Sequence, residues 1–342
     1  MQKYLDYAVT QVENLCRIPS PSGFTIKATD YLMKELVELG FKPQYSRKKS
    51  VLVEIGGEGE AVVLAAHVDT LGAMVRAVKS NGRLRLTKIG GYPGNNVESE
   101  NVIIHTRDGK EFTGTIQMNN PAVHVNSNLG KASRDDSNME VVIDENVSKA
   151  DDVKKLGISV GDFISLDPRT VVTPSGFIKS RHLDDKASAG ILLGFAKAVA
   201  DKEIVLDRKV YLLFTTYEEV GHGGSSGIPA DTTEMISVDM GAVGDDLETD
   251  EHKVSICAKD SGGPYDYDVT TQLIKLAREH KLQHAVDIYP FYGSDVEATL
   301  RAGFDIRHGL IGPGVAASHG YERTHKEGLE NTLQLLKLYL QK

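Results

Sequence analysis

The sequence predicts an α/β protein: a mostly parallel sheet flanked by helices, interrupted by an inserted small β-barrel-like domain. Three observations carry this expectation. The run AVVLAAHVD (61–69) is continuously apolar, as a strand covered on both faces of a parallel sheet must be. Helix-like and strand-like patterns fill residues 1–69 and return from 184 onward. Between them, from about 71 to 180, short alternating runs are separated by the turn pairs Asn81-Gly82, Asp108-Gly109 and Ser175-Gly176, which are hairpin signals. The expected division is 1–70 with 181–342 as one α/β domain and 71–180 as the inserted β-rich domain.

Each element has its own warrant. FTIKATDYLMKELVELG (24–40) places Ala28, Tyr31, Leu32, Leu36 and Leu39 near one helical face and stops at Gly40. Inside the β-rich stretch, SKADDVKKL (148–156) reads as a short helix with Ser148 and Asp151 spaced as a capping box. DDKASAGILLGFAKAVA (184–200) is a helix, KVYLLFTTY (209–217) a strand and EMISVDMG (234–241) another strand. VTTQLIKLAREHKL (269–282) and GLENTLQLLKLYLQK (328–342) are helices. Repeats and low-complexity segments are absent from the sequence.

Composition narrows the function. At 342 residues the chain exceeds one simple core. A net charge of −9 argues against nucleic acid or an anionic membrane as partner. Two cysteines, Cys16 and Cys257, make neither a disulfide framework nor a metal-ligand spacing, which is cytoplasmic usage. The start MQKYLDYAVTQVENLCRI is amphipathic, so no signal peptide is expected. No run approaches the roughly 20 apolar residues of a membrane span.

Metal-type residues stand at the ends of these elements. His67 and Asp69 lie at i and i+2 where a strand ends; a buried histidine bonded to an aspartate explains them as well as a ligand does. Asp184 and Asp185 open a helix, where capping is the simpler explanation. Asp239 ends an apolar strand, a common place for a turn former. His319 and His325 are uninformative singly. Glu218 and Glu219 follow the strand 209–217, and adjacent carboxylates repel unless a cation or shared proton compensates.

Together these residues become specific, because ligands of open α/β sheets gather at the carboxyl ends of strands. Two divalent metals would be served by His67 and Asp239 on one, Glu219 and His319 on the other, and Asp184 bridging. Three carboxylates, two divalent cations and one hydroxide then sum to zero charge. Glu218 is left to act as a base. His325 is the rival to His319.

The stretches AAHVDTLGAMV, SRHLDDKASAGILL, TTYEEVGHGGS, SVDMG and SHGYERTH resemble the tetrahedral (TET-type) aminopeptidases. These are co-catalytic metallopeptidases that include glutamyl and deblocking aminopeptidases. The resemblance covers essentially the whole chain. It implies a zinc-peptidase-like α/β domain with an inserted β domain, and cytoplasmic dodecamers whose sites face an interior chamber. It implies the same ligands, Glu218 as general base, Asp69 as the residue orienting the histidine, and a cis peptide between Asp184 and Asp185. The implied reaction is hydrolysis of the N-terminal residue from short peptides, with two divalent ions per subunit: zinc, with cobalt or manganese as alternatives. The inserted domain is expected to serve as lid and oligomerisation surface, since His67 and Asp184 flank it.

Rival readings are a two-metal deacylase or carboxypeptidase-like hydrolase on the same scaffold, a non-enzymatic assembly protein, and a nucleotide-binding α/β protein. The last needs a glycine-rich phosphate loop after the first strand, where HVDTLGAMV stands instead. Lys259, Arg181 and Arg323 would favour acidic substrate side chains, and Glu322 would support the site or touch substrate.

Overall fold

The computed structural model describes residues 1–341. The chain divides into two compact units, Met1–Asp69 with Arg169–Lys342, and Thr70–Pro168.

In the first unit a nine-stranded sheet runs Gln44–Tyr45, Val51–Gly56, Lys209–Thr215, Ala61–His67, Thr232–Val238, Arg307–Val315, Val254–Lys259 and His284–Ile288. Gly241–Ala242 adds to Arg307–Val315. The four strands at its centre, from Lys209–Thr215 to Arg307–Val315, are mutually parallel. Their carboxyl ends therefore open at one edge, with Thr215 in register with His67 and Val238 with Ile311.

All seven residues of Ala61–His67 are buried, and their side chains part to opposite faces with the period of two that a strand imposes. Val62, Leu64 and Ala66 join a core with Leu192, Leu329 and Leu333, while Val63 and Ala65 pack with Leu213, Met235 and Val296. Gly190 and Gly194 let the helix Leu183–Ala200 lie against Gln2–Cys16. A Cβ on Gly190 would stand 2.5 Å from a Val12 methyl, and one on Gly194 would stand 2.9 Å from the Ala8 Cβ.

The helix Ile26–Glu38 buries Ala28, Leu32 and Leu36, with Tyr31 and Leu39 half-buried. It ends at Gly40 in a left-handed turn, where Phe41 N–H donates to the Leu36 carbonyl at 3.0 Å. This closure leaves fewer carbonyls stranded at the helix end.

The second unit is a closed barrel in the order Gly72–Val78, Leu84–Ile89, Met139–Ile143, Glu111–Met118, Asn101–His105, Phe163–Leu166. Alternate residues, among them Val75, Leu86, Val102, Ile104, Ile116 and Ile164, fill its interior. Two expectations shift here. The helix covers Ala150–Leu156 with Lys149 as its extended N-cap. Ser148 N–H therefore meets the Asp152 carboxylate, at 3.2 Å, rather than Asp151.

The return to the first unit comes at Arg169, not near 181. The hairpin Val171–Val172 with Phe177–Ser180 pairs with Glu322–His325 in a separate three-stranded sheet of that unit. Among the described residues, no helix is long and apolar enough to cross a membrane.

Candidate metal centre

The carboxyl edge of the parallel strands collects the candidate residues. His67 is buried at the last position of its strand. Its Nδ1 is held 2.9 Å from the main-chain oxygen of Asp69, which leaves Nε2 facing inward, 3.1 Å from Asp184 Oδ1 and 3.7 Å from Glu218 Oε2. Asp184 sits at the non-helical start of Leu183–Ala200, and its peptide bond to Asp185 is cis. Its second oxygen lies 3.3 Å from His319 Nε2, and His319 is 3.6 Å from Glu219 Oε2. One aspartate thus stands between two imidazoles.

Asp239 follows Thr232–Val238, where its N–H donates to the Ile311 carbonyl and its Oδ1 accepts the Met240 N–H at 2.7 Å. Ligand-type atoms of His67, Asp185 and Asp239 converge within 4.8 Å of one another, as do those of His67, Asp184 and Glu219.

Asp69 does something the spacing did not predict. Its main-chain oxygen, not its carboxylate, holds the His67 ring; the carboxylate stays 3.6 Å away. That carboxylate accepts the amide N–H of Glu218 at 3.1 Å and of Glu219 at 3.3 Å, and the Ser22 hydroxyl at 2.5 Å. Two amides and a hydroxyl are strong partners for a buried anion, so they claim the side chain and leave the ring to the backbone.

Electrostatics of the cluster are those of a hole for positive charge. Burial pushes Glu218 and Glu219 far above the usual carboxylate range; Asp239 adds to the effect on the first and Asp184 on the second. Burial and the Asp184 charge push Asp239 up to about 7. Burial would lower His67, but Asp184, Glu218 and Asp239 outweigh it and raise the ring well above its ordinary value. Burial also opposes ionisation of Asp184, yet the two histidines win and hold it below the usual range.

Among the described residues, the ion pairs of Asp184, Glu218 and Glu219 are made to His67 and His319. Glu219 Oε1 and Asp185 Oδ1 are buried without a hydrogen-bond partner. Unpartnered carboxylate oxygens beside imidazole nitrogens are the donor set that suits zinc and neighbouring divalent metals. The residues fit the ions.

His325 lies elsewhere. It caps the final helix Lys326–Leu340, its Nδ1 accepting the Glu327 N–H at 3.2 Å while Nε2 donates to the Ser175 carbonyl at 2.9 Å. His252 and Glu327 bring further ligand-type atoms near it, but both its ring nitrogens are already engaged.

All three basic residues expected to meet substrate are occupied. Lys259 donates from Nζ to the Asp260 carbonyl at 2.7 Å. Arg323 forks onto Glu251 at 2.8 and 2.5 Å, and buried Arg181 donates to the Gly320 carbonyl.

Glu322 acts from behind. Its two oxygens accept the N–H of Asp184 at 3.1 Å and of His319 at 2.9 Å, so one buried carboxyl spans residues 135 apart in the chain (319 minus 184). Burial and the Asp184 charge push it up to about 8. Its position between His319 and His325 was the only signal in the sequence. Asp185 read only as part of a helix start with Asp184, and Asp295 and Ser22 carried no signal.

A pocket of this charge at the carboxyl ends of such a sheet belongs to the metal-dependent hydrolases. Within that class the particular family is clear: the family model of the M42 glutamyl aminopeptidases matches residues 49–335, and the chain belongs to that family. It is a metal-dependent aminopeptidase. YhfE of Bacillus subtilis, named as an aminopeptidase, is 46% identical over 332 residues, 96% of each chain.

Among solved structures, a TET aminopeptidase from a marine-sediment thaumarchaeon superposes with a TM-score of 0.88 at 18% identity, covering 98% of this chain and 96% of that one. A Pyrococcus horikoshii TET1 peptidase, described as assembling into a tetrahedron or a large octahedral shell, gives 0.85 at 20% identity over 98% and 99%. At these identities the two structures establish the fold.

Proposed function

We propose that the chain removes the N-terminal residue from short peptides with two divalent ions. His67 and Asp239 would hold one, Glu219 and His319 the other, and Asp184 would bridge. The observation that carries this is Asp184 lying 3.1 Å from one imidazole and 3.3 Å from the other. When bound, the ions supply Lewis-acid polarisation of the scissile carbonyl and lower the pKa of water.

Glu218 is the general base. It touches no ion pair but His67, and its carboxyl keeps a high proton affinity through burial. It accepts the proton of the attacking water and returns it to the leaving amine. Asp69 fixes that base by gripping its amide, and Glu322 fixes the two ligands Asp184 and His319 by gripping theirs.

Zinc is the proposed ion, with cobalt and manganese as alternatives, because imidazole and carboxylate donors serve all three. A cytoplasmic dodecamer is the proposed assembly; a relative of like fold is described as a dodecamer, and the two cysteines are free and buried.

The test is release of the first residue from a panel of aminoacyl chromogenic amides and short peptides, with zinc, cobalt and manganese in turn. Activity should need two equivalents of metal per chain and a free N-terminus. Full activity at one equivalent removes the bridging role of Asp184, and equal cleavage of N-acylated substrates turns the reading to a deacylase.

A further inference from the structure

The strand Lys209–Thr215 delivers the turn that carries Glu218, and that turn is held from two sides. Asp69 grips its middle through the amides of Glu218 and Glu219. Its two ends meet Asp295, the first residue of the helix Asp295–Arg301, only 3% exposed.

Asp295 does not cap its own helix. The Val296 N–H is taken by the Ser237 hydroxyl, at 3.1 Å. Instead Asp295 Oδ2 accepts the Thr215 hydroxyl at 2.5 Å, and Thr215 is the residue in register with His67. Oδ1 is buried with no hydrogen-bond partner and faces the glycine pair that closes the turn. A Cβ on Gly223 would stand 2.2 Å from Oδ1, and 2.9 Å from both the Glu218 amide nitrogen and the Thr215 hydroxyl oxygen. A Cβ on Gly224 would stand 2.3 Å from the Asp295 main-chain oxygen. One turn along the helix, Thr299 donates its hydroxyl to the Gly224 carbonyl at 2.7 Å.

Leaving a buried carboxylate oxygen unpaired is unfavourable by about 1–3 kcal/mol or more. Helix capping does not use this group, and it is not among the residues whose ligand-type atoms converge. What its position does determine is where the turn lands. Thr215 at the strand end and Gly223 and Gly224 at the turn end pack on Asp295 or on Thr299 one turn along, with the Glu218 amide beside Gly223.

We infer that Asp295 is a positioning residue for Glu218: it locks the 215–224 turn at its two ends, as Asp69 does in its middle, so that the Glu218 carboxylate faces the His67 ring. The catalytic consequence rests on the reading of Glu218 as general base; the clamp itself does not.

The experiment compares full-length, metal-loaded wild type with Asp295→Ala, Thr215→Val and Asp295→Asn, reading amide hydrogen exchange across 216–225, metal content, kcat and KM. Exchange should quicken in Asp295→Ala and Thr215→Val and stay slow in Asp295→Asn, which keeps an oxygen for the Thr215 hydroxyl. In Asp295→Ala kcat should fall about tenfold to a hundredfold, as expected for a misplaced catalytic group, with KM and both metals retained; Asp295→Asn should recover most of it. Unchanged exchange in Asp295→Ala, or activity lost in step with metal, overturns the inference. If Asp295→Ala does not fold, Thr215→Val carries the same two readouts. A wild type that releases no first residue refutes the proposed function, while the exchange comparison still decides the clamp.

Discussion

The two ends of the strand Thr232–Val238 treat buried acids in opposite ways. At its start Glu234, 1% exposed, meets Arg208 at 2.9 Å, Arg307 at 3.0 Å and the Tyr339 hydroxyl at 2.8 Å. Just past its finish Asp239, 5% exposed, lies among Asp184, Asp185, Glu218 and Asp295, with His67 as the nearest base. The barrel repeats the first pattern: buried Glu140 is gripped by Lys79 and Arg83. An acid that only has to be stored receives its own cations from the chain, because an uncompensated buried charge is costly. A cluster of acids left without them is shaped around charge that arrives from outside.

The sharpest way to break this comparison is to neutralise one acid at each end. Glu218→Gln should keep the bound metals and lower kcat by at least ~10²–10⁴-fold, the range for losing a general base. Glu234→Gln should leave turnover unchanged and destabilise the fold by about 1–3 kcal/mol, because it weakens charged hydrogen bonds to both arginines. Turnover of both variants is read on one substrate and stability by denaturant titration. Equal turnover in the two variants would mean that the base lies elsewhere.

Chelation sharpens the contrast through pH. With the metals stripped, Asp239 sits at about 7 against an ordinary 3.8, and Glu218 and Glu219 are raised as well, burial being the main cause for all three. Between about pH 4 and 7 the folded chain therefore holds protons that the unfolded chain has released, so stability of the chelated protein falls as pH rises. Metal binding replaces the protons of the ligands Asp239 and Glu219, so in the loaded protein the slope should flatten, the remainder coming from raised acids that hold no metal, such as Glu322. The cost of Glu234→Gln should be the same with and without metal, since that corner holds none. Denaturant midpoints across this pH range check both statements, and a chelated protein whose stability rises with pH would contradict the charge argument.

What the sequence made legible, and what it hid, follows from the range of the interactions involved. The central strand was readable because double-sided burial forces a continuous apolar run, and the acids at strand ends were readable because they interrupt such runs. The helix 26–38 announced its face and its glycine stop for the same local reasons. The hairpin 171–180 shows the limit: its turn pair looks like those of the barrel, and periodicity cannot say that its partner strand lies at 322–325. Asp69 was noticed for its spacing, yet its side chain and main chain divide the work differently because two amides 149 and 150 residues away compete for it (218 and 219 minus 69). Asp295 likewise acts on partners far along the chain, and its neighbours in sequence give no pattern that marks it, whereas Glu322 was marked by its place between His319 and His325.

The smallest effect is the one at His325, which the sequence leaves as the rival of His319. His319 Nε2 points into the acid cluster, so His319→Ala should lose one metal and nearly all activity. His325 is a helix cap with Nδ1 as acceptor and Nε2 as donor. Alanine there strands the Glu327 N–H and the Ser175 carbonyl and removes a ring packed edge-on to Phe177 at 4.8 Å between centroids. Loss of a cap costs about 0.5–2 kcal/mol, and that is the destabilisation His325→Ala should show, with both metals retained and kcat close to wild type. His325→Asn tests the cause more finely, because asparagine is itself a favoured cap; it should recover part of the lost stability. Should His325→Ala instead release a metal, the histidine would be feeding the site through the three-stranded sheet that ties Phe177–Ser180 to Glu322–His325, and the separation between storage and chemistry would fail at this corner.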